Sequence, residues 1–347
     1  MQARGICIGT KTIGGRMKRT ILVTGGAGFI GANLVHELVT LDDTTVHVLA
    51  EPGSNYWRLA TILEKITVHE VSITNHAAIR QLVLSLRPHE IYHLAAYGGM
   101  PDQQDQAAVF AVNLYGTIHL LNVCKEVGFD VFINTGSSSE YGKKNIPMAE
   151  SMPLEPVSDY AVAKIAATHF CLKEALVHKL PIYTVRPFSV YGDYEMPTRL
   201  IPTIISHALQ KKTMSLASPH NVRDYIYIKD MTALYHTIAK QKPTTALVFN
   251  GGSGIQSSTD DVVNAVEKIT QTPLTIQWGQ AASRPWEPTH WQADISLAKT
   301  VLNWQPQYRL QQGLSASLAW FENNLYLYDN QITHTPPLPS QPKLELP

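Results

Sequence analysis

The chain has 347 residues, 44% of them hydrophobic and 16% charged, which suits a folded globular chain and excludes a disordered one. Lys plus Arg and Asp plus Glu number 28 each, so no basic excess exists to drive binding to a phosphate backbone, and nucleic acid is excluded as an expected partner. Cys7, Cys124 and Cys171 are far apart and form no C-x-x-C. That fits a reducing, cytoplasmic setting without a disulfide framework.

Residues 1–19 carry several Lys and Arg but too short an apolar run for a signal peptide, and read as a flexible extension, or as an upstream start with Met17 as an alternative initiator. "TILVTG" (20–25) is a short β-branched run ending in glycine, hence a buried strand. "FIGANLVHELVT" (29–40) has helical spacing, and "TVHVLAE" (45–51) reads as a second strand. "HEIYHLAA" (89–96) and "VFINTGS" (131–137) are further strands, separated by the helical "AVFAVNLYGTIHLLNVCKEVG". "PIYTVRPFSVYG" (181–192) is a strand after the helical "YAVAKIAATHFCLKEALVHK". Such alternation predicts an α/β fold with a doubly wound parallel sheet covered on both faces. No run of about 18 apolar residues exists, so no membrane span is expected.

Beyond residue 192, Pro197, Pro202 and Pro219 divide the chain into shorter pieces, with helices expected near 198–212 and 259–270. The expected organisation is a dinucleotide-binding domain over 20–192, rejoined by later chain. A smaller α/β substrate lobe over 193–328 and an unfolded Pro-rich tail over 329–347 follow.

"VTGGAGFIG" lies between the first strand and the first helix, with Gly25, Gly28 and Gly31 three apart. Glycines there permit a tight turn and let backbone amides approach a pyrophosphate, while the helix N-terminus adds partial positive charge. The strand–loop–helix context is what such a motif requires. The second strand ends at Glu51, a candidate for the adenosine ribose hydroxyls that disfavours a ribose phosphate and hence favours NAD over NADP. Arg58 is close in sequence and could serve a phosphate instead, or stay a solvated surface charge. "SDYAVAK" places Tyr160 four residues before Lys164, on one face of a helix. His89 and His93 are also four apart, but on a strand, so no metal site is expected.

Together "TGGAGFIG", "YHLAA", "NTGSSSEYG", "YAVAK" and "RPFSVYG" resemble the extended short-chain dehydrogenase/reductase family, the nucleotide-sugar epimerases and dehydratases, over roughly residues 20–325. "RLIPTIISHAL", "NVRDYIYIKDM" and "SRPWEPTHWQADISLAKTVLNWQP" resemble that family's substrate lobe. The resemblance implies a Rossmann-type fold and a bound NAD. It casts Tyr160 as the catalytic tyrosine, Lys164 as the anchor of the nicotinamide ribose, and Ser137 as the hydroxyl on the reacting oxygen. Phe29, Ile30, Ser72, Ile73, Ala95, Ala96, Asn113 and Pro187 are implied along the cofactor. Tyr97, Ser138, Ser139, Ser189, Arg199, Arg223 and Arg284 are implied along the substrate. For Tyr97, contact with the hexose and simple packing of its loop stand equally open. Arg223 and Arg284 would hold the diphosphate, since planar forks bond two oxygens at once; the alternative for Arg223 is a surface ion pair with Asp224.

A free tyrosine titrates near about 10, so a nearby lysine ammonium and nicotinium charge are expected to lower it toward a working base. In sugar 4,6-dehydratases acidic residues directly follow the serine or threonine. Here Ser138 and Ser139 stand there, and Glu140 follows one later as a candidate acid–base residue or a solvated turn residue. Ser72 and Ser189 are further departures, from an Asp and an Asn. The expectation is an NAD-dependent nucleotide-sugar epimerase acting at C4 through a transient keto sugar. The alternative is a nucleotide-sugar ketoreductase or 4,6-dehydratase of deoxysugar or cell-surface polysaccharide biosynthesis. A non-catalytic dinucleotide sensor would not need Tyr160 and Lys164, and a reductase of apolar alcohols would not need the two arginines. The resemblance further implies a homodimer through a four-helix bundle, in which Ala161, Ala163, Ala166 and Ala167 would permit close packing.

Overall fold

A computed structural model of the chain describes residues 18–100, 102–241, 247–281 and 288–329. The extension up to residue 17, Arg284 and the tail from residue 330 lie outside the described residues.

The first half alternates strand and helix. β1 (Arg19–Thr24) leads into α1 (Phe29–Leu38), and β2 (Thr44–Ala50) into a 3-10 segment at Trp57–Lys65. β3 (Ile66–Glu70) precedes α2 (His76–Leu86), and β4 (Glu90–His93) precedes α3 (Gln106–Phe110). One turn of π-helix (Ala111–Gly116) joins α3 to α4 (Thr117–Val127). β5 (Val131–Thr135), α5 (Asp159–His178), β6 (Ile182–Pro187) and β7 (Ser189–Tyr191) follow. Then come α6 (Leu200–Gln210), β8 (Met214–Leu216), β9 (Val222–Tyr227), α7 (Ile228–Ala239), β10 (Val248–Gly251), β11 (Gln256–Ser258), α8 (Thr259–Thr270) and β12 (Ile276–Trp278). α9 (Ser296–Leu302), α10 (Leu310–Asn324) and α11 (Tyr326–Asp329) end the described chain.

Seven strands form one sheet in the order β10-β6-β5-β4-β1-β2-β3, with every neighbouring pair parallel. β1, β4 and β5 are buried along most of their length, as parallel strands covered on both faces must be. The order reverses between β1 and β4, and a ligand crevice opens at such a switch point beyond the strand C-termini. β10 arrives from the second half of the chain to pair with β6, and α7 packs against α1 and β5. β11-β9-β7 and β12-β8 make two small sheets beside the large one.

Two local expectations need correction. The single strand expected over 181–192 is two strands in two different sheets, because Pro187 lacks the N–H that would continue the ladder. After it, Phe188 N–H donates to the Gly251 carbonyl at 2.8 Å, and the chain leaves for β9. Arg19, placed with the extension, instead opens β1 and donates to Glu90 at 2.6 Å. The continuous helix Gln106–Val127 is by length and composition apolar enough to cross a membrane; 61% of its most apolar window is buried within the fold, where it packs on α2 and α5.

Candidate active site

β1 ends in the glycine loop, and the loop geometry depends on missing side chains. Gly25 has φ +67°, and a Cβ there would lie 2.7 Å from the Ala95 nitrogen. A Cβ on Gly31 would lie 2.3 Å from the Gly25 carbonyl oxygen and 2.9 Å from the Gly26 Cα, so α1 can approach the loop this closely only with glycine. Gly28 caps α1 with no side-chain hydrogen bond, which leaves the first amides of the helix for an anion. Gly25, Gly28, Phe29, Ile30 and Gly31 line a cleft of about 380 Å³. The amides, the glycine cradle and the switch point together fit the pyrophosphate of a dinucleotide.

The same cleft is lined by Ala96, Ser137, Tyr160, Lys164, Pro187 and Arg199, so the sequence-predicted glycine loop, hydroxyl, phenol and ammonium meet in one place. Ser158 starts α5 by accepting the Ala161 N–H, which puts Tyr160 and Lys164 in the first turns of that helix. Ser137 caps the 3-10 turn Ser138–Tyr141 that follows β5, its Oγ accepting the Ser139 N–H. Lys164 is 3% exposed, and its Nζ donates to the Thr135 carbonyl at 2.8 Å. Burial pushes the ammonium down to about 8, opposed chiefly by Glu140.

In the protein alone, burial pushes the Tyr160 phenol up to about 12, and the Ser137 hydroxyl, which favours the phenolate, does not offset this. The Lys164 ammonium is 5.8 Å from the ring centroid and donates to the Thr135 carbonyl.

Glu140 is neither a solvated turn residue nor a free acid–base group. It is fully buried: Oε1 accepts from Ser137 N–H at 2.8 Å and from Thr168 Oγ1 at 3.1 Å, and Oε2 accepts from Arg186 Nε at 2.8 Å. With both oxygens committed away from the cleft, it cannot exchange a proton with a substrate there.

Tyr97, 7% exposed, packs among Ala108, Val109 and Val112 instead of facing the cleft. Asn113, on the π turn, has no exposed surface. Its Nδ2 donates to the Tyr97 and Val109 carbonyls at 2.6 and 2.8 Å, so it shapes the wall from behind. Arg58 is not a free surface charge or a phosphate fork. It is 7% exposed, donates to the Tyr194 and Ala27 carbonyls, and stacks on Trp57 at 4.4 Å. Glu51 follows β2 as expected and is half-buried. Ser72 is buried and shares a hydrogen bond with Thr74, while Ile73 packs toward Gly116. Ala95 donates its N–H to Thr24 Oγ1 at 3.2 Å.

Ser138, Ser139, Ser189 and Arg223 lie outside the residues that line the cleft. Arg223 lies 5.8 Å from the Trp291 ring centroid and donates to the Val222 carbonyl. The Arg223–Asp224 surface pair does not form, because Asp224 is fully buried and accepts from Ser253, Gly254 and Ala293 amides.

The sequence reading missed Met100, Gln103, Phe188, Val190 and Glu195, all on the cleft wall. Glu195 is 6% exposed, lies 3.9 Å from Arg199, and is pushed up to about 8 by burial. The sequence reading named His93 only in setting aside a metal site; the ring is held between the Thr24 and Thr117 hydroxyls at 2.7 and 2.8 Å and braces the ends of β1 and β4. The two acidic residues after "VYG", Asp193 and Glu195, were the available signal for Glu195; its burial was not in the sequence.

The sequence profile of the NAD dependent epimerase/dehydratase family matches residues 21–250. The chain is 28% identical over 324 residues to UDP-glucuronate 4-epimerase of Thermodesulfobacterium geofontis, covering 88% of this chain and 97% of that one. It is 25% identical over 329 residues to dTDP-glucose 4,6-dehydratase of Xanthomonas campestris pv. campestris, covering 88% and 93%. Among solved structures, UDP-glucuronic acid 4-epimerase from Bacillus cereus, in complex with UDP-glucuronic acid and NAD, superposes with a TM-score of 0.76 at 28% identity over 88% of this chain and 99% of that one. The glycine cradle, the Ser137–Tyr160–Lys164 cleft and the profile match agree, and the chain belongs to the NAD-dependent epimerase/dehydratase family.

Proposed function

We propose that this enzyme is an NAD-dependent nucleotide-sugar 4-epimerase. The observation that carries the reading is the meeting of Ser137, Tyr160 and Lys164 with the glycine loop in one cleft, without a free carboxylate after Ser137. NAD, when bound, accepts a hydride from the sugar carbon and returns it. The protein must then move the proton of the attached hydroxyl. In this reading Tyr160 carries that transfer and Ser137 hydrogen-bonds the same oxygen. Lys164, which donates to the Thr135 carbonyl, would hold the nicotinamide ribose. Gly25, Gly28 and Gly31 would admit the pyrophosphate, with Glu51 at the adenosine ribose. Burial disfavours the Tyr160 phenolate, and the cationic oxidised cofactor, when bound, would favour it.

A 4,6-dehydratase or ketoreductase is the second reading, favoured by the dehydratase relatives. Dehydration needs a further acid–base pair at the sugar. Ser138 and Ser139 are not carboxylates and Glu140 is paired with Arg186, so the stretch after Ser137 does not supply it. The substrate is read as a nucleotide-diphosphate sugar. Arg199, 44% exposed at the cleft, and Arg223 are its candidate ligands, with Arg284 outside the described residues.

A homodimer of cytoplasmic enzyme is part of the same reading. Of the alanines named for its packing, Ala161, Ala163 and Ala167 are buried inside the chain itself and Ala166 is half-buried, whereas Tyr115 and Val162 are 52% and 41% exposed on the two helices concerned.

Incubation with UDP-, GDP-, dTDP- and CDP-sugars, followed by chromatography and mass spectrometry, tests the reaction. A new isomer of unchanged mass is expected; loss of one water would replace the epimerase with the dehydratase. Tyr160→Phe should lower turnover by about 100-fold or more, as removal of a general acid–base group does; a loss under about tenfold would remove Tyr160 from the chemistry.

A further inference from the structure

We propose that Glu140 is a positioning residue of this site: it fixes the Ser137 turn to α5 and provides the buried anion that balances Lys164. The proposal rests on the reading of Ser137, Tyr160 and Lys164 as the reaction centre.

The geometry ties Glu140 to each of them. Its Oε1 accepts the backbone N–H of Ser137, and with the Ser137 side chain it forms a reciprocal capping box. The same oxygen accepts from Thr168, four residues beyond Lys164 and eight beyond Tyr160, on the same face of α5. Its Oε2 takes Arg186 Nε from β6, and Arg186 continues to the Tyr141 hydroxyl at 3.0 Å. Tyr141 donates to Asn250 of β10 at 2.7 Å, and Asn250 donates to the Met148 and Asp294 carbonyls. One carboxylate thus links β5, α5, β6 and β10 directly behind the cleft. Space is reserved for it: a Cβ on Gly136 would lie 2.4 Å from its Oε1.

The charges around it have a consistent sign. Glu140 is paired with Arg186, next to Tyr141, and its charge also reaches Lys164 and Tyr160 of α5. Glu150 and Tyr141 also neighbour Arg186, and Cys171 and His93 also neighbour Lys164. Burial lowers the Lys164 ammonium to about 8, and Glu140 is the main influence holding it up. Without that anion the lysine would lose its proton at a lower pH, and the ribose anchor would lose its charge near neutrality.

The test uses the full chain and pH profiles of NAD affinity, which need no sugar turnover and so stay separate from the identity of the substrate. Glu140→Gln keeps the shape and one acceptor oxygen but leaves Arg186 unpaired. Glu140→Gln/Arg186→Met removes both charges, a change that buried ion pairs often tolerate with little loss of stability. In wild type, NAD affinity should fall on the alkaline side as Lys164 deprotonates. In both variants the midpoint of that fall should move acidward by about one pH unit, the usual effect of removing a close opposite charge. Glu140→Asp, which retains the charge, should keep the wild-type midpoint. A folded double variant whose profile superposes on wild type would overturn the proposal. So would a double variant that cannot fold, because the pair would then serve the whole fold and not the site.

Discussion

Gly31→Ala puts one methyl group where α1 meets the glycine loop. That methyl would lie 2.3 Å from the Gly25 carbonyl oxygen, 2.9 Å from the Gly26 Cα and 3.0 Å from the Gly25 carbonyl carbon. All are backbone atoms, so no rotamer change relieves the contact, and the helix must move by nearly an ångström. Two effects oppose each other. Ala favours a helix interior over Gly by up to about 1 kcal/mol. Overpacking a site of fixed backbone costs about 1–3 kcal/mol. The clash should win, because the displaced atoms belong to the loop and to the helix amides at once. The expected result is a net loss of about 1–2 kcal/mol in unfolding free energy, a few degrees in melting temperature. NAD affinity should fall by tenfold or more, since about 1.4 kcal/mol of misplaced amide interactions is a factor of ten. Differential scanning calorimetry and titration calorimetry with NAD measure the two. Gly28→Ala is the comparison: its nearest atom is the Gly25 carbonyl oxygen at 3.1 Å, so its melting temperature should change less. A Gly31→Ala protein that melts at or above wild type and binds NAD normally would refute the close-approach reasoning.

Other outcomes follow from the same structure. His93 is buried between two hydroxyls and lowered from its ordinary range to about 3 by burial. Its folded value lies below its unfolded one, so the unfolded chain holds the extra proton between about 3 and 6.5. Stability should therefore fall as pH drops through that window, by up to about 1.4 kcal/mol per unit, and the urea-midpoint slope there should flatten in His93→Gln. Arg58→Met should lower the melting temperature, because the Ala27 and Tyr194 carbonyls and the Trp57 stack lose their partner. It should leave the ratio of NAD to NADP affinity within about threefold, since loss of a 2′-phosphate partner would cost more, as charge-assisted bonds do; a larger change would restore Arg58 as a phosphate ligand. Asp224→Ala should cost about 3 kcal/mol or more by denaturant titration, because the Ser253, Gly254 and Ala293 amides would lose a buried acceptor; a loss below about 1 kcal/mol would contradict that accounting.

Local chemistry is what the sequence by itself determined. The β-branched run before "GGAGFIG" dictated strand, turn and helix, because glycine spacing and hydrophobic period are properties of neighbours along the chain. Tyr160 and Lys164 shared a helix face for the same reason. Tertiary structure decided the state of each charged or aromatic group, since burial and partners come from distant chain. Arg186 of β6 and Thr168 of α5 turned Glu140 from a candidate acid–base residue into a buried strut. Val109 and its neighbours drew Tyr97 into the core. Ala27 and Tyr194, from two separate loops, took up Arg58. The ionisation of Tyr160 turned on how much water its ring loses, which no spacing of residues encodes.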